Sequence, residues 1–138
     1  RLRVNVGGSG ECGLDLPKAS PDLRRVAKLF VAFARDRSGQ HGLPAETPVE
    51  VFVAGARGTW RAVRAAFLNY PGPIAATSAP PAHPCLRTGP ALPHRLDVYR
   101  TVTLTPDEPR DCTSYFAVQL FVNDVGQIVA ANLVRSEP

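Results

Sequence analysis

Seven prolines between residues 71 and 93 restrict this 138-residue chain more than any other feature of its sequence. Proline fixes φ and lacks a backbone donor, so neither a helix nor a central strand runs through such a segment. The segment therefore predicts a long loop, and long loops inside compact domains are usually functional or disordered. This loop also separates a helical half of the chain from a strand-rich half.

Helical periodicity is clearest upstream of the loop, over residues 21–37. Ser20 is a suitable N-cap and Pro21 suits the first helical position. Apolar side chains at helical spacing form a stripe that we expect to be buried: Leu23, Val26, Ala27, Phe30, Phe33 and Ala34. Residues 49–54 predict a strand, and residues 59–70 predict a shorter helix.

After the loop, the sequence predicts three antiparallel strands over residues 96–104, 115–122 and 127–134. Residues 123–126 read Asn-Asp-Val-Gly, which is a hairpin signal between the last two strands. Helices packed on one face of a curved antiparallel sheet suit this order, so we predict an α+β fold. For residues 1–10 we predict an edge strand or a flexible leader, and for residues 11–138 we predict a single domain.

This order of elements resembles the cystatin-like cone of the nuclear transport factor two-like superfamily. The resemblance rests on the capped helix at residues 20–37 and on the closing hairpin at residues 115–134. It implies a cystatin-like cone that carries the proline-rich loop as an insertion. Members of that superfamily include enzymes with a polar pocket and non-catalytic binding or assembly domains, often dimeric. A homodimer is therefore one expected state, and the fold alone does not choose between the functions.

Three cysteines are present, Cys12, Cys85 and Cys112, and none forms a C-x-x-C pair. Zinc-ribbon and redox motifs are therefore not indicated, and we predict no metal site and no cofactor. An odd number allows at most one internal disulfide. We predict the pair Cys85–Cys112, because it would tie the proline-rich loop to the region before a strand. The alternative is three reduced thiols in a cytosolic protein.

Composition indicates a location outside the cytoplasm. The first residue is Arg and Met is absent, so we expect a mature piece of a trimmed precursor. Fourteen of the 16 basic residues are Arg, which together with abundant Ala and Pro is typical of a GC-rich bacterium. With the predicted disulfide, this favours a secreted or cell-envelope protein. No apolar run approaches the roughly 18 residues of a bilayer span, so we expect none in this piece.

The positive charge is concentrated in the first half of the chain. Residues 1–64 hold eleven basic and six acidic side chains, whereas residues 65–138 hold five and six. Arg57, Arg61 and Arg64 cluster there and are candidate binding residues for an anionic partner, with a solvated surface as the alternative. Aromatic side chains do not interleave with this cluster and no recognition motif appears, which argues against nucleic acid.

Catalytic signals are few. The sequence contains neither a serine nucleophile elbow nor a phosphate loop. Asp97 and Tyr99 lie two residues apart on the predicted strand and would share a face. They are the candidate acid–base groups of a small cone-fold hydrolase or isomerase, and a structural hydrogen-bonded pair is the alternative reading.

Because no catalytic constellation stands out, we predict a non-catalytic extracytoplasmic binding or assembly domain. Its partner would be a protein or a small apolar ligand. A further alternative is a secreted protease inhibitor. In that case a Cys85 disulfide would hold Arg87, two residues further on, in a rigid substrate-like loop that suits a trypsin-like protease.

Overall fold

The computed structural model places two helices against one face of a six-stranded sheet, so the chain is an α+β protein. It describes residues 19–37, 42–43, 45–86, 91–107 and 112–136. The segment 1–10, Cys12 and Arg87 lie outside these ranges. No helix within them is both long and apolar enough to cross a membrane.

In chain order the elements are α1 (Pro21–Arg35), β1 (Ala45–Val53), β2 (Ala56–Arg57), α2 (Trp60–Asn69), β3 (Ile74–Thr77), β4 (Arg100–Pro106), β5 (Phe116–Val122) and β6 (Ile128–Arg135). Two short 3₁₀ helices, His94–Val98 and Cys112–Ser114, come before β4 and β5 respectively. Across the sheet the strands lie in the order β2-β1-β6-β5-β4-β3.

Helix α1 confirms the predicted stripe, of which these members are buried: Leu23, Val26, Ala27, Phe30 and Ala34. Ser20 occupies the N-cap position, but its hydroxyl donates to Asp22 Oδ1 at 2.6 Å and does not cap the backbone. The helix ends at Arg35, two residues before the predicted end. The Asp36 amide then bonds to the Phe33 carbonyl, a three-residue step that tightens the last turn.

The sheet is mixed, which corrects the predicted antiparallel arrangement. Strands β3 to β6 form an antiparallel ladder, including the predicted hairpin between β5 and β6. Strand β1 instead pairs with β6 in parallel, with Glu50 beside Ala130 and Val53 beside Leu133. Parallel neighbours need a long crossover connection, and the chain from α2 through β5 supplies it here. Alternation in the sequence indicates which segments form strands, but it does not indicate which strands pair when they are far apart in the chain.

Two strand predictions near the proline-rich segment also need correction. The strand predicted over residues 96–104 begins only at Arg100, because residues His94–Val98 form a 3₁₀ helix. Conversely, residues 74–77 of the predicted loop form β3, which starts directly after Pro73 and pairs with β4. Strand β3 lies at the sheet edge, where a neighbouring proline is tolerated because one side of the strand needs no partner.

An aromatic cluster fixes the helices on the sheet. Phe30 of α1 is fully buried, and its ring lies 5.8 Å from Trp60 and 5.7 Å from Phe67 on α2. Phe67 in turn meets Phe116 of β5 edge-to-face at 5.1 Å. Such pairs add to the large apolar area that aromatic rings bury. The cluster therefore determines where both helices lie above the strands.

Residues 78–86 and 91–98, which lie between β3 and β4 and are called the cover below, include a 3₁₀ helix that packs on the other face of the sheet. Leu96 of the 3₁₀ helix is 1% exposed and packs in a second apolar cluster with Phe52 and Phe121. Arg95 beside it donates to both carboxylate oxygens of Glu50 on β1. Apolar packing and a two-point ion pair thus hold the end of the cover against the strands.

A disulfide attaches the middle of this cover, as predicted. Cys85 and Cys112 are bonded, with Cα atoms 5.1 Å apart. Next to the bond, the His83 ring stacks on Tyr115 with centroids 4.0 Å apart. The segment before β4 is therefore fastened at two places along its length, first near the start of β5 and then on β1.

Replacing both bonded cysteines, Cys85→Ala with Cys112→Ala, should lower the free energy of unfolding by about 3–4 kcal/mol. The bond spans 27 residues and restricts the unfolded chain accordingly. Urea denaturation measures the loss, and Cys12→Ala is the control that keeps the bond. Reductant should bring the wild-type midpoint to that of the double variant. An unchanged midpoint in both experiments would contradict the structural role of the disulfide.

Phe30→Ala should destabilise the protein by about 3–5 kcal/mol, because it removes the ring that joins α1 to α2. Its neighbour Leu29 is 43% exposed, so Leu29→Ala should change stability by no more than roughly 0.5 kcal/mol. Thermal and urea unfolding of the matched pair provide the comparison. Equal losses in the two variants would show that the cluster does not anchor the helix.

Candidate functional site: a groove beside helix α1

A groove of about 580 Å³ lies between helix α1 and the β3–β4 edge of the sheet. Helix α1 packs against β4 and α2 packs nearer β1. Strand β3 is the edge strand next to β4, and it lies beyond the strand on which α1 mainly packs. The groove is the space left between the outer side of α1 and the inner face of this edge.

The floor of the groove is apolar. Ile74 and Ala76 alternate on β3, so both face the helix side of the sheet, and Leu104 of β4 lies beside them. Ala27 and Val31 supply the helix side of the same surface. Leu104 and Ala27 are buried, whereas the two β3 residues are half-buried and leave apolar surface within the groove.

The helical rim of the groove is cationic. Four side chains of α1 line it: Arg24, Arg25, Lys28 and Arg35. Positions 24, 28, 31 and 35 are spaced by four, three and four, which places them on one side of the helix. Arg24, Arg25 and Lys28 are exposed, and no described residue forms an ion pair or hydrogen bond with their side chains. None of the described residues that line the groove is acidic, so these residues give it a positive potential.

Arg35 builds the wall at the far end of the groove. Its Nη2 donates to the Tyr70 carbonyl at 2.5 Å and to the Gly72 carbonyl at 2.7 Å. These bonds tie the end of α1 to the chain that enters β3. A Cβ at Gly72 would lie 2.8 Å from the Tyr70 ring, so a larger residue there would require the ring to move. Arg35 is therefore committed to structure, unlike the three cations nearer the start of α1.

Asp22, the acidic residue of α1, is directed to β4. It accepts hydrogen bonds from the Ser20 hydroxyl and from Arg100 Nη1, both at 2.6 Å. The Ser20 hydrogen bond, followed by the Arg100 hydrogen bond and charge, lowers the pKa of Asp22 from 3.8 to about 2. The ionised carboxylate joins the start of α1 to the start of β4, so Asp22 does not pair with the rim cations.

The structure does not bring the predicted catalytic pair together on a strand. Asp97 lies in the 3₁₀ helix with its side chain 74% exposed, and its Oδ2 is 3.3 Å from His94 Nδ1. Tyr99 is half-buried and packs against the apolar cluster beneath the cover. Neither residue lines the groove or the smaller cavity described next. The strand face on which the acid–base prediction rested is therefore absent at this position.

A second cavity, of about 230 Å³, lies between α2 and the end of β6. Tyr115 and Arg135 are among the residues that line it. Burial raises the pKa of Tyr115, and a hydrogen bond with Thr105 acts in the opposite direction. Because Tyr115 also stacks on His83, we assign it to the attachment of the cover.

Structural contacts take up two of the three arginines in the cluster predicted at residues 57–64, and Arg87 is the fourth predicted binding residue. Arg57 Nη2 donates to Glu50 Oε2 at 2.9 Å. Arg64 donates to the carbonyl of Asp36 and so connects α2 to the end of α1. Arg61 is exposed on α2. Arg87, the proposed inhibitory residue, lies outside the described residues.

In the sequence the cations of α1 fall between the positions of the buried stripe, but no pattern in the sequence predicts the groove. The spacing of Arg24, Lys28 and Val31 was a signal that these side chains share one side of α1. The opposite wall, Ile74 and Ala76, lies within the proline-rich segment, where proline density concealed the edge strand.

Comparison with known proteins yields no relative for this chain: no family model, curated protein or solved structure matches it. Its function is therefore inferred from the chemistry of the described residues.

Arg100→Gln should raise the pKa of Asp22 toward its ordinary value, since the variant loses the guanidinium that favours the carboxylate. In the wild type the pKa of Asp22 is lower in the folded protein than in the unfolded chain. The stability that Asp22 contributes is thus present above pH 3.8 and is lost as the pH falls toward about 2. NMR titration of the Asp22 carboxyl carbon measures the pKa. The control Arg24→Gln should leave it unchanged, and no rise in Arg100→Gln would overturn this assignment.

Proposed function

We propose that this chain is a non-catalytic extracytoplasmic binding domain that holds a small ligand with an apolar portion in the groove beside α1. The observation that carries the proposal is the groove itself. Its volume of about 580 Å³ falls within the range of about 300–1,000 Å³ that is typical of small-molecule sites. Its floor is formed by Ile74, Ala76 and Leu104, which offer apolar contact without filling the space.

The chemistry of the lining supports binding without catalysis. Among the described residues, the side chains that line the groove are apolar apart from arginine and lysine, and none of them is a carboxylate, imidazole, hydroxyl or thiol. Acid–base and nucleophilic catalysis usually rely on such groups. The hydrolase or isomerase alternative depended on Asp97 and Tyr99 sharing a strand face, so the 3₁₀ helix at His94–Val98 removes its motive.

The Cys85–Cys112 bond supports the extracytoplasmic part of the proposal. Structural disulfides persist in secreted and cell-envelope proteins and are rare in reducing compartments. The helices on one face of the sheet are compatible with the nuclear transport factor two-like cone, which stays a prediction, as does a homodimer. A protein partner remains the second candidate for the binding role.

Binding of N-phenyl-1-naphthylamine, a neutral apolar fluorophore, tests the proposal. We expect saturable binding to the wild type with enhanced fluorescence. Ala76→Phe fills the floor of the groove and should weaken binding about tenfold. Ala56→Phe is the matched control, because it places the same ring at an exposed position on β2, the opposite edge strand.

Thermal unfolding of both variants separates loss of the groove from loss of the fold. Absence of saturable binding to the wild type would overturn the proposal. Undiminished binding to a folded Ala76→Phe variant would also overturn it, because the fluorophore would then occupy some other surface.

A further inference from the structure

We infer that the ligand of this groove is a single-chain amphiphile with an anionic head group, a carboxylate or a phosphate. Arg24, Arg25 and Lys28 bind the head group, while Ile74, Ala76 and Leu104 contact the chain. This inference rests on the proposed function and specifies its substrate class. Its basis is the separation of charge and apolar surface along one groove.

Charge along α1 is unbalanced at the mouth of the groove. Arg24 and Lys28 are four residues apart and Arg25 and Lys28 three, so like charges face each other on adjacent turns. Such pairs repel and destabilise an isolated helix. The nearest carboxylate on the helix, Asp22, is held by Ser20 and Arg100. An anion bound between the three cations would relieve this repulsion.

The three cations differ from most other described arginines, which have partners within the fold. Arg57 and Arg95 bind Glu50, and Arg100 binds Asp22. Arg35, at the other end of the groove, donates to backbone carbonyls. Within the described part of the chain, unpartnered charge is thus found at one end of the groove, and the other described lining residues are apolar apart from Arg35.

The dimensions of α1 suit an elongated ligand. From position 24 to position 35 the helix advances about 16 Å at about 1.5 Å per residue. The rim cations occupy the first part of this length, and Val31 with the β3 side chains occupies the rest. A ligand with a compact charged end and a flexible apolar tail therefore matches the groove better than a uniformly apolar or a uniformly acidic molecule.

Displacement of N-phenyl-1-naphthylamine by three ligands of equal chain length tests the inference. The ligands are dodecanoate, dodecyl phosphate and 1-dodecanol, each below its aggregation limit. We expect both anions to displace the probe about tenfold more tightly than the alcohol, with a preference that weakens as salt rises. The comparison of carboxylate with phosphate identifies the preferred head group.

Neutralising the rim isolates the head-group contribution. In Arg24→Gln/Arg25→Gln/Lys28→Gln the anions should lose their advantage, while dodecanol binding stays within roughly twofold of the wild type. Arg61→Gln, an exposed cation on α2, is the control and should retain the preference. Circular dichroism and thermal unfolding confirm that α1 remains folded in each variant.

The outcomes separate this inference from the proposed function. If dodecanol displaces the probe as tightly as the anions do, the anionic head group is wrong and the apolar binding site stands. If no ligand displaces the probe and the probe itself does not bind, the proposed function fails. Binding of phosphatidylglycerol vesicles or of hexaglutamate through the three cations, without displacement of the probe, would overturn the amphiphile in favour of a membrane surface or an acidic peptide.

Discussion

The contact between Phe30 and Phe67, edge-to-face with centroids 5.7 Å apart, is the interaction on which the arrangement of this fold depends. Phe30 belongs to α1 and Phe67 to α2, and the Phe67 ring also contacts Phe116 on β5, an inner strand of the sheet. With the helices joined there, α1 meets the sheet mainly at β4, and the groove lies between α1 and the edge strand β3. The groove is a direct consequence of where the aromatic cluster holds the helix.

The other face of the sheet is closed by a different means. Strand β5 is buried at almost every position, which a one-sided antiparallel sheet would not produce. The cover contributes to this burial, since its Leu96 reaches the apolar cluster that includes Phe121 on that face. Proline lowers the conformational entropy of such an irregular cover before folding, and the disulfide restricts it further. Covalent and apolar contacts thus replace a third layer of regular structure.

Arginine has two separate roles in this chain. Arg35 and Arg64 donate to backbone carbonyls at the ends of helices, and Arg57 and Arg95 share Glu50. These side chains connect elements and are not free to meet a partner. Arg24, Arg25 and Lys28 form no ion pair or side-chain hydrogen bond with the described residues. Their charges therefore remain available for a ligand beside the apolar floor of the groove.

Local patterns determined much of the secondary structure. The stripe of α1, the helix after Thr59 and the closing hairpin follow from side-chain periodicity and turn residues, which depend on near neighbours in sequence. The cysteine number allows at most one internal disulfide, and Cys85–Cys112 is the predicted pair because it would tie the proline-rich loop to the region before a strand. Only the cationic side of the groove could be read from the sequence, because it belongs to a regular helix. Part of the floor belongs to β3, an edge strand that the surrounding prolines concealed.

The sequence by itself determined the helices, the last two strands and the class of fold, because these depend on spacings of two, three or four residues. Only the tertiary structure decided that β1 lies parallel to β6, that Asp97 leaves the sheet in a 3₁₀ turn, and that β3 faces the cations of α1. Each of these depends on side chains far apart in sequence competing to bury apolar surface, and no local pattern records the result of that competition.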